Sequence, residues 1–356
     1  MRVLALMKYG ARAASTRQRL LQYQPYLETR GIEIAMSPLL DDAHVARIGR
    51  GRRSSPFAIS SAYFRRLAML LRARRFDVIW LHCELLPYMP GWVERLVRLA
   101  GRPVVLDYDD AIFHMYDAHR SGLVRRTIGL KFASVVRSAD AVMAGNAYLA
   151  DYAMRFSDAV TIVPTVVDTD AYLPRPESRE ARPVVGWIGS PSTWRYVAAM
   201  LPTILPVIAR HGAVFRAVGG GRESEGVAGV EAVEWREDRE IAEVQAMDVG
   251  IMPLDDQPWA KGKCGYKLIQ YMACGSAVIA SPVGVNVEIV ADGVEGLIAG
   301  TAAQWAAALD RLLGDAALRR AMGERGRAKV VSAYSLASQA PRVAAVLARV
   351  AGEGHG

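Results

Sequence analysis

Short continuous apolar runs alternate with longer stretches of helical period from one end of the chain to the other. Runs of this kind, with little polar alternation inside them, mark strands buried on both faces of a parallel sheet. MRVLAL at residues 1–6, VIWLH at 78–82 and PVVLDYDD at 103–110 read as strands, and AVMAGNAYLADYA at 141–153 reads as a strand with its following helix. The same sign recurs in VVGWIGSPSTWRYV at 184–197, VGIMPLDDQPW at 249–259 and AVIA at 277–280. Regular alternation of strand and helix predicts an α/β architecture of doubly wound layers. A length of 356 residues exceeds what one compact core normally holds, so two domains of ordinary size are expected. Residues 173–183, LPRPESREARP, carry three prolines among mixed charges and are the clearest linker. Residues 196–209 are apolar but too short to span a bilayer and are expected as one buried helix.

The stretch 263–288, KCGYKLIQYMACGSAVIASPVGVNVE, is the most informative. Lys263, Lys267 and Gln270 fall at i, i+4 and i+7, which predicts one face of a helix over 263–274, with Leu268, Ile269, Met272 and Ala273 on the packed side. Gly275 ends that helix, and residues 277–280 form a buried strand. Residues 281–286 then make a loop at the strand's carboxyl end, where open α/β sheets bind ligands.

Taken in order, these segments resemble the GT-B glycosyltransferases, in particular the retaining family called glycosyltransferase family 4 or group 1. TIVPTVVDTDAY at 161–172 is similar to the family's interdomain "PNGVD" segment, and YMACGSAVIASPVG and EIVADGVEGLI match later blocks. The resemblance implies two Rossmann-like domains facing a central cleft: an acceptor domain over 1–170, a nucleotide-sugar domain over 171–336, and a C-terminal helix at 337–356 crossing back to the first domain. It implies transfer of a sugar from a nucleoside diphosphate donor to a hydroxyl of a bacterial cell-surface glycan or lipid-linked precursor, with retention and without an obligatory metal or other cofactor. Two family features are replaced. The Glu-x7-Glu pair falls on Gly262 and Gln270, and the arginine after the first glycine of the second domain is Trp187. These replacements fit either a divergent enzyme with a lysine-based phosphate site or a chain without transfer activity. A nucleotide-sugar epimerase on the same fold and a non-catalytic glycan- or nucleotide-binding scaffold are the alternatives.

Breaking a sugar–diphosphate bond requires stabilisation of charge on the leaving phosphate. Lys261, Lys263 and Lys267 crowd the expected helix start, where the dipole also attracts phosphate. Gly189, Ser190 and Thr193 lie in a small-residue loop between strand and helix, with Arg195 just beyond, and are donor-binding candidates beside the reading of an ordinary βα turn. Gln270, Gly284, Asn286 and Glu288 complete the donor set, Gln270 as a partner for a ribose hydroxyl. Gly219, Gly220 and Gly221 form a further strand-end loop.

In the first half the acids Asp109 and Asp110 follow a buried run, and His82 ends the neighbouring strand. At strand carboxyl ends such groups orient an acceptor hydroxyl or take its proton, so Asp109, Asp110, His82 and Lys267 are the catalytic candidates. An aspartate capping a helix from Ala111 is the structural rival. Arg17 and Arg19 in the loop after the first strand are candidates for an acceptor phosphate, and Asn146 reads as a helix cap. His82, Glu84, Asp109 and His114 show no recognised metal-ligand spacing.

Charge is uneven. Residues 1–165 hold 24 Lys and Arg against 14 Asp and Glu, which leaves 20 against 22 for the rest. The excess concentrates at 47–53 and in 59–75, where Tyr63, Phe64, Leu67, Leu70 and Leu71 make an apolar stripe flanked by arginines. A basic amphipathic helix suits an anionic membrane surface or an ordinary solvated face, whereas no nucleic-acid motif accompanies the charge. Three scattered cysteines without a CxxC pair suggest reduced thiols and a cytoplasmic protein, with contact at the inner face of the membrane as the extension.

Overall fold

The computed structural model describes residues 1–49, 55–174 and 182–353. The chain forms two compact units: Met1–Thr165 with Gly262–Cys264 and Gln339–Gly356, and Val166–Lys261 with Gly265–Ser338. The first unit carries the strands β1 (Arg2–Tyr9), β2 (Glu33–Leu40), β3 (Val78–His82), β4 (Val104–Tyr108), β5 (Ala141–Ala144) and β6 (Val160–Ile162), in the order β2-β1-β3-β4-β5-β6. The second carries β7 (Val184–Ile188), β8 (Val214–Val218), β9 (Val230–Val233), β10 (Val249–Met252), β11 (Ala277–Ala280) and β12 (Gly296–Ile298), in the order β12-β11-β10-β7-β8-β9. Every strand pair is parallel. Each sheet starts at an interior strand, β1 or β7, and winds outward both ways, the doubly wound α/β fold that the apolar runs predict. β3, β4, β5, β7, β10 and β11 are buried at every position, because helices cover both faces of a parallel sheet.

The units divide at 165/166, a few residues before the expected 170. Val167 belongs with the second unit because it bridges Ser335 and donates its N–H to the Tyr334 carbonyl at 3.2 Å. Of the expected linker, residues 175–181 lie outside the described residues. The apolar stretch 196–209 is not one helix. Pro191–Ala198 and Leu201–Arg210 are separate, the second opening with Pro202 in its first turn, where a missing N–H costs nothing. The helix Leu336–Glu353 starts in the second unit and from Gln339 onward belongs to the first, burying Ala340, Val343, Leu347 and Val350.

The helix Pro56–Arg72 corrects the expected stripe. Ser55 caps it, accepting from the Ala58 N–H at 3.2 Å. Its inner face buries Ala62, Leu70 and, against expectation, Arg66, whose guanidinium donates to the carbonyls of Met7 (2.7 Å) and Ser37 (2.8 Å). Phe57, Phe64 and Leu71, at seven-residue spacing, are 84%, 73% and 75% exposed. Of the other basic segment, 50–53 lie outside the described residues. Among the described residues no helix is long and apolar enough to cross a membrane.

A buried charge cluster fixes the loop after β3. Lys131 lies between Glu84 and Glu94, 3.1 Å from the latter, and donates to the Leu86 carbonyl at 2.6 Å. Glu94 accepts from the Leu85 and Leu86 N–H groups at 2.8 and 3.4 Å. Burial of two carboxylates with one ammonium pushes Glu94 above its ordinary 4.5. Lys131→Met should therefore destabilise the chain by about 3–5 kcal/mol, because it leaves buried charge uncompensated. In urea unfolding the loss should be greatest near neutral pH and shrink as Glu94 protonates.

Candidate functional site

In the first unit the site grows from the register of β3 on β4, which sets His82 opposite Asp107. Asp107 is fully buried and faces inward: it accepts from Arg19 Nε (3.2 Å) and Trp80 Nε1 (3.3 Å), and its carbonyl accepts the Cys83 N–H (2.8 Å). Arg19 is itself 1% exposed and donates to the Val163 carbonyl at 2.8 Å. It holds strand ends together, which corrects its reading as an acceptor-phosphate ligand. Arg17 turns back on its own loop, to the carbonyls of Ala11 and Arg12.

Asp109 and His82 are brought together as expected, with His82 Nε2 3.9 Å from Asp109 Oδ1. Burial lowers the basicity of the imidazole, but Cys83 and the Asp109 and Asp107 carboxylates outweigh it, and the ring keeps its proton well above the ordinary 6.5. Burial likewise opposes ionisation of Asp109, yet His82, Arg19 and Lys263 hold it below the ordinary 3.8. Neither aspartate caps a helix. The next one starts at His114 rather than Ala111, and His114 turns to Asp117 and Tyr148, both at 2.8 Å. Gly145 is required here: a Cβ there would lie 2.9 Å from Asp109 Cα.

Asp110, the more exposed acid, accepts from Lys263 Nζ at 2.8 Å. The pairing raises the Lys263 pKa above its ordinary 10.5 against the effect of burial. Lys263 is therefore not on the helix. Gly265 takes a left-handed conformation (φ +67°) and the helix runs Tyr266–Ala273, so Lys263, Lys267 and Gln270 do not share a face. Asn146 caps its own helix through Leu149 N–H (3.0 Å), as expected, and also donates to the carbonyls of Gly262 and Lys263. Gly262, the first replaced acidic position, packs so that a Cβ would meet the Ala111 Cβ at 2.4 Å. No glutamate fits there.

In the second unit Lys267, in the first turn of Tyr266–Ala273, sits with Nζ 5.8 Å from the centre of the Trp187 ring. Trp187 is buried against Trp194. A cation thus stands over the residue that replaces the family's arginine. The β7 loop leads into the helix Pro191–Ala198: Thr193 Oγ1 accepts from the Ser190 N–H at 3.2 Å, and a Cβ at Gly189 would collide with Trp187. Arg195 is drawn to Tyr196 Oη at 2.8 Å. Asn286 is fully buried and donates to the Ser281 carbonyl at 3.1 Å, while its Oδ1 has no partner. Gly284 (φ +54°) lies too close to the Lys261 carbonyl for any side chain, and Glu288 is exposed. Lys261 pairs with Asp256 at 3.2 Å.

Gln270 is 3% exposed, and its amide donates to Tyr172 Oη (2.9 Å) and Glu240 Oε1 (2.8 Å). Both amide hydrogens are occupied by this network, so a ribose hydroxyl would have to meet its carbonyl oxygen. Glu240 in turn accepts from Trp235 Nε1 at 2.7 Å. Trp235 lines a cavity of about 480 Å³ with Gly219, Gly221, Arg222 and Glu234. Sequence reasoning found only its glycines. Trp235, Arg222 and Glu240 come from a segment with no period or motif to single them out.

Residues 2–165 match the family profile described as glycosyl transferase 4-like domain, and residues 182–315 that described as glycosyl transferases group 1. No curated protein matches the chain. Among solved structures it is similar to a sucrose-phosphate synthase from Thermosynechococcus elongatus, with 17% identity, TM-score 0.75, and coverage of 99% of this chain and 100% of that one. HepE of Anabaena in complex with UDP-glucose has 16% identity and TM-score 0.73 over 98% and 100% of the two chains. WaaG, a glycosyltransferase involved in lipopolysaccharide biosynthesis, has 17% identity and TM-score 0.70 over 98% and 99%.

The His82–Asp109 pair makes a titration prediction. The raised His82 pKa contributes stability that is complete below about pH 6.5 and is lost as pH rises through the folded value. The lowered Asp109 pKa contributes stability present above about pH 3.8 and lost as pH falls through its folded value. In Asp109→Asn the burial effect gains weight, and the His82 titration followed by imidazole NMR should move down, by about one unit or more.

Proposed function

The chain belongs to the GT-B glycosyltransferases, with a 4-like first half and a group 1 second half, and on that premise we propose that it moves a sugar from a nucleoside diphosphate donor to a hydroxyl acceptor. The observation that carries the donor reading is Lys267 over Trp187 at the start of a helix. An ammonium and a helix amino end together favour a diphosphate and stabilise the charge that grows on it as the glycosidic bond breaks. The solved HepE complexes hold UDP and UDP-glucose, which supports a nucleotide sugar as donor. The Gly219–Trp235 cavity is the proposed place of the base. Transfer on this reading needs no metal, because basic side chains and amides meet the leaving phosphate, and it proceeds with retention.

The proposed acceptor elements lie in the first unit. Ionised Asp109 and protonated His82 supply one acceptor and one donor of hydrogen bonds at the β3 and β4 ends. The acceptor proton passes to Asp110 or to the leaving phosphate. The acceptor is a glycan or lipid-linked precursor on the bacterial cell surface pathway, and the protein is cytoplasmic with contact at the inner membrane face. Supporting this, the exposed Phe57, Phe64 and Leu71 are flanked by exposed Arg65 and Arg72, a face suited to anionic lipid. The replaced acids, Gly262 without space and Gln270 without a free amide hydrogen, favour a non-catalytic scaffold as the second reading.

A thermal-shift screen against UDP, GDP, ADP and dTDP and their sugars, run in EDTA, tests the proposal. One base should shift the wild type selectively, and Lys267→Ala should weaken binding about tenfold, as for a lost charge-assisted contact. Sugar release only when acceptor is present excludes an epimerase, and binding without turnover selects the scaffold. For the membrane face, co-sedimentation with phosphatidylglycerol vesicles should be lost in Phe57→Ser/Phe64→Ser/Leu71→Ser, while phosphatidylcholine vesicles bind neither protein.

A further inference from the structure

Two residues other than glycine take left-handed backbone conformations among the described residues, and they bracket one loop: Cys83 (φ +71°) and Tyr88 (φ +58°). For an aromatic side chain that conformation is unfavourable, and it persists only where the surroundings impose it. Here they do. Glu94 binds two N–H groups of the loop, Lys131 binds its Leu86 carbonyl, Tyr63 Oη donates to the Pro87 carbonyl at 2.6 Å, and Tyr116 Oη accepts the Tyr88 N–H at 3.2 Å. Tyr116 donates in turn to Glu84 at 2.7 Å. Buried or half-buried side chains from four separate helical segments thus fix a loop in which residues 83–87 are all buried. The side chain this arrangement presents outward is Tyr88, 57% exposed, with Tyr116 edge-on to it at 5.7 Å between ring centres. Four residues on, Trp92 is 65% exposed.

We propose that Tyr88, with Trp92 four residues on, is a stacking platform for a saccharide ring of the acceptor. The loop leaves β3 at its carboxyl end, beside the β4 end that carries Asp109, where ligands of such sheets bind. A pyranose presents C–H bonds on its flat face, whose partial positive charge suits the negative face of an aromatic ring. Tyrosine adds a hydroxyl that meets the sugar's own. A rigid loop holds the ring in place before the ligand arrives, so binding does not have to order it. The role as acceptor site rests on the transferase reading; saccharide binding itself does not.

Saturation-transfer NMR on the full chain with methyl glucosides, galactosides, mannosides and N-acetylglucosaminides tests this, with UDP in a parallel arm. The wild type should transfer saturation to ring protons of at least one glycoside. Tyr88→Phe, which keeps the ring, should retain the signal. Tyr88→Asn, a residue that tolerates the left-handed conformation, should fold and lose about tenfold of it. No transfer from any glycoside in the wild type, or an unchanged signal in Tyr88→Asn, overturns the platform. Glycoside binding by the wild type with no binding of UDP, GDP, ADP or dTDP would instead sink the transferase reading and leave the platform standing.

Discussion

Ionised groups removed from water need partners, and the carboxyl edge of the first sheet depends on that requirement. Three aspartates within four residues each meet a cation from elsewhere in the sequence: Asp107 meets Arg19, Asp109 meets His82, and Asp110 meets Lys263. Breaking a buried pair leaves a charge that nothing nearby compensates. The helix Ala14–Arg19, the end of β3 and the segment Gly262–Cys264 are therefore fixed by one short acidic run at the end of β4. The innermost pair is sealed inside the fold, while the outer two place two carboxylates, a protonated imidazole and an ammonium at the strand ends.

The second unit solves a different problem with neutral groups. Glu240 gathers hydrogen bonds from Tyr172, Gln270 and Trp235, so a half-buried carboxylate is satisfied by three neutral donors. Gln270 suits this place because its amide donates twice, which a glutamate could not do. The two acidic positions absent from this chain thus have separate physical reasons: one is closed by packing at Gly262, and the other is occupied by a donor at Gln270.

Period made the sheets legible. Runs such as Val184–Ile188 and Ala277–Ala280 hold no charged or polar side chain because both faces are covered. Clustering of acids at a strand end also brought His82 and Asp109 together correctly. Period failed where one backbone angle decided the outcome: Gly265 turns left-handed and removes Lys263 from a helix whose spacing it otherwise fits. It failed again where a charged residue found buried partners. Arg66 and Arg19 are inside because carbonyls and an aspartate distant in sequence receive them, and no local pattern records that. Burial of Arg66 rotates the helix Pro56–Arg72 so that Phe57, Phe64 and Leu71 face outward.

The first unit is assembled from three separated pieces of chain, and this bears on how it is made. Its last helix supplies Ala340, Val343, Leu347 and Val350 from beyond Gln339, so the surface they cover stays open until that helix has been synthesised. At roughly 5–20 residues per second, the interval between Thr165 and Val350 is on the order of 10–40 s. Throughout that time the nascent first half exposes an apolar strip, and a molecular chaperone has a reason to hold it.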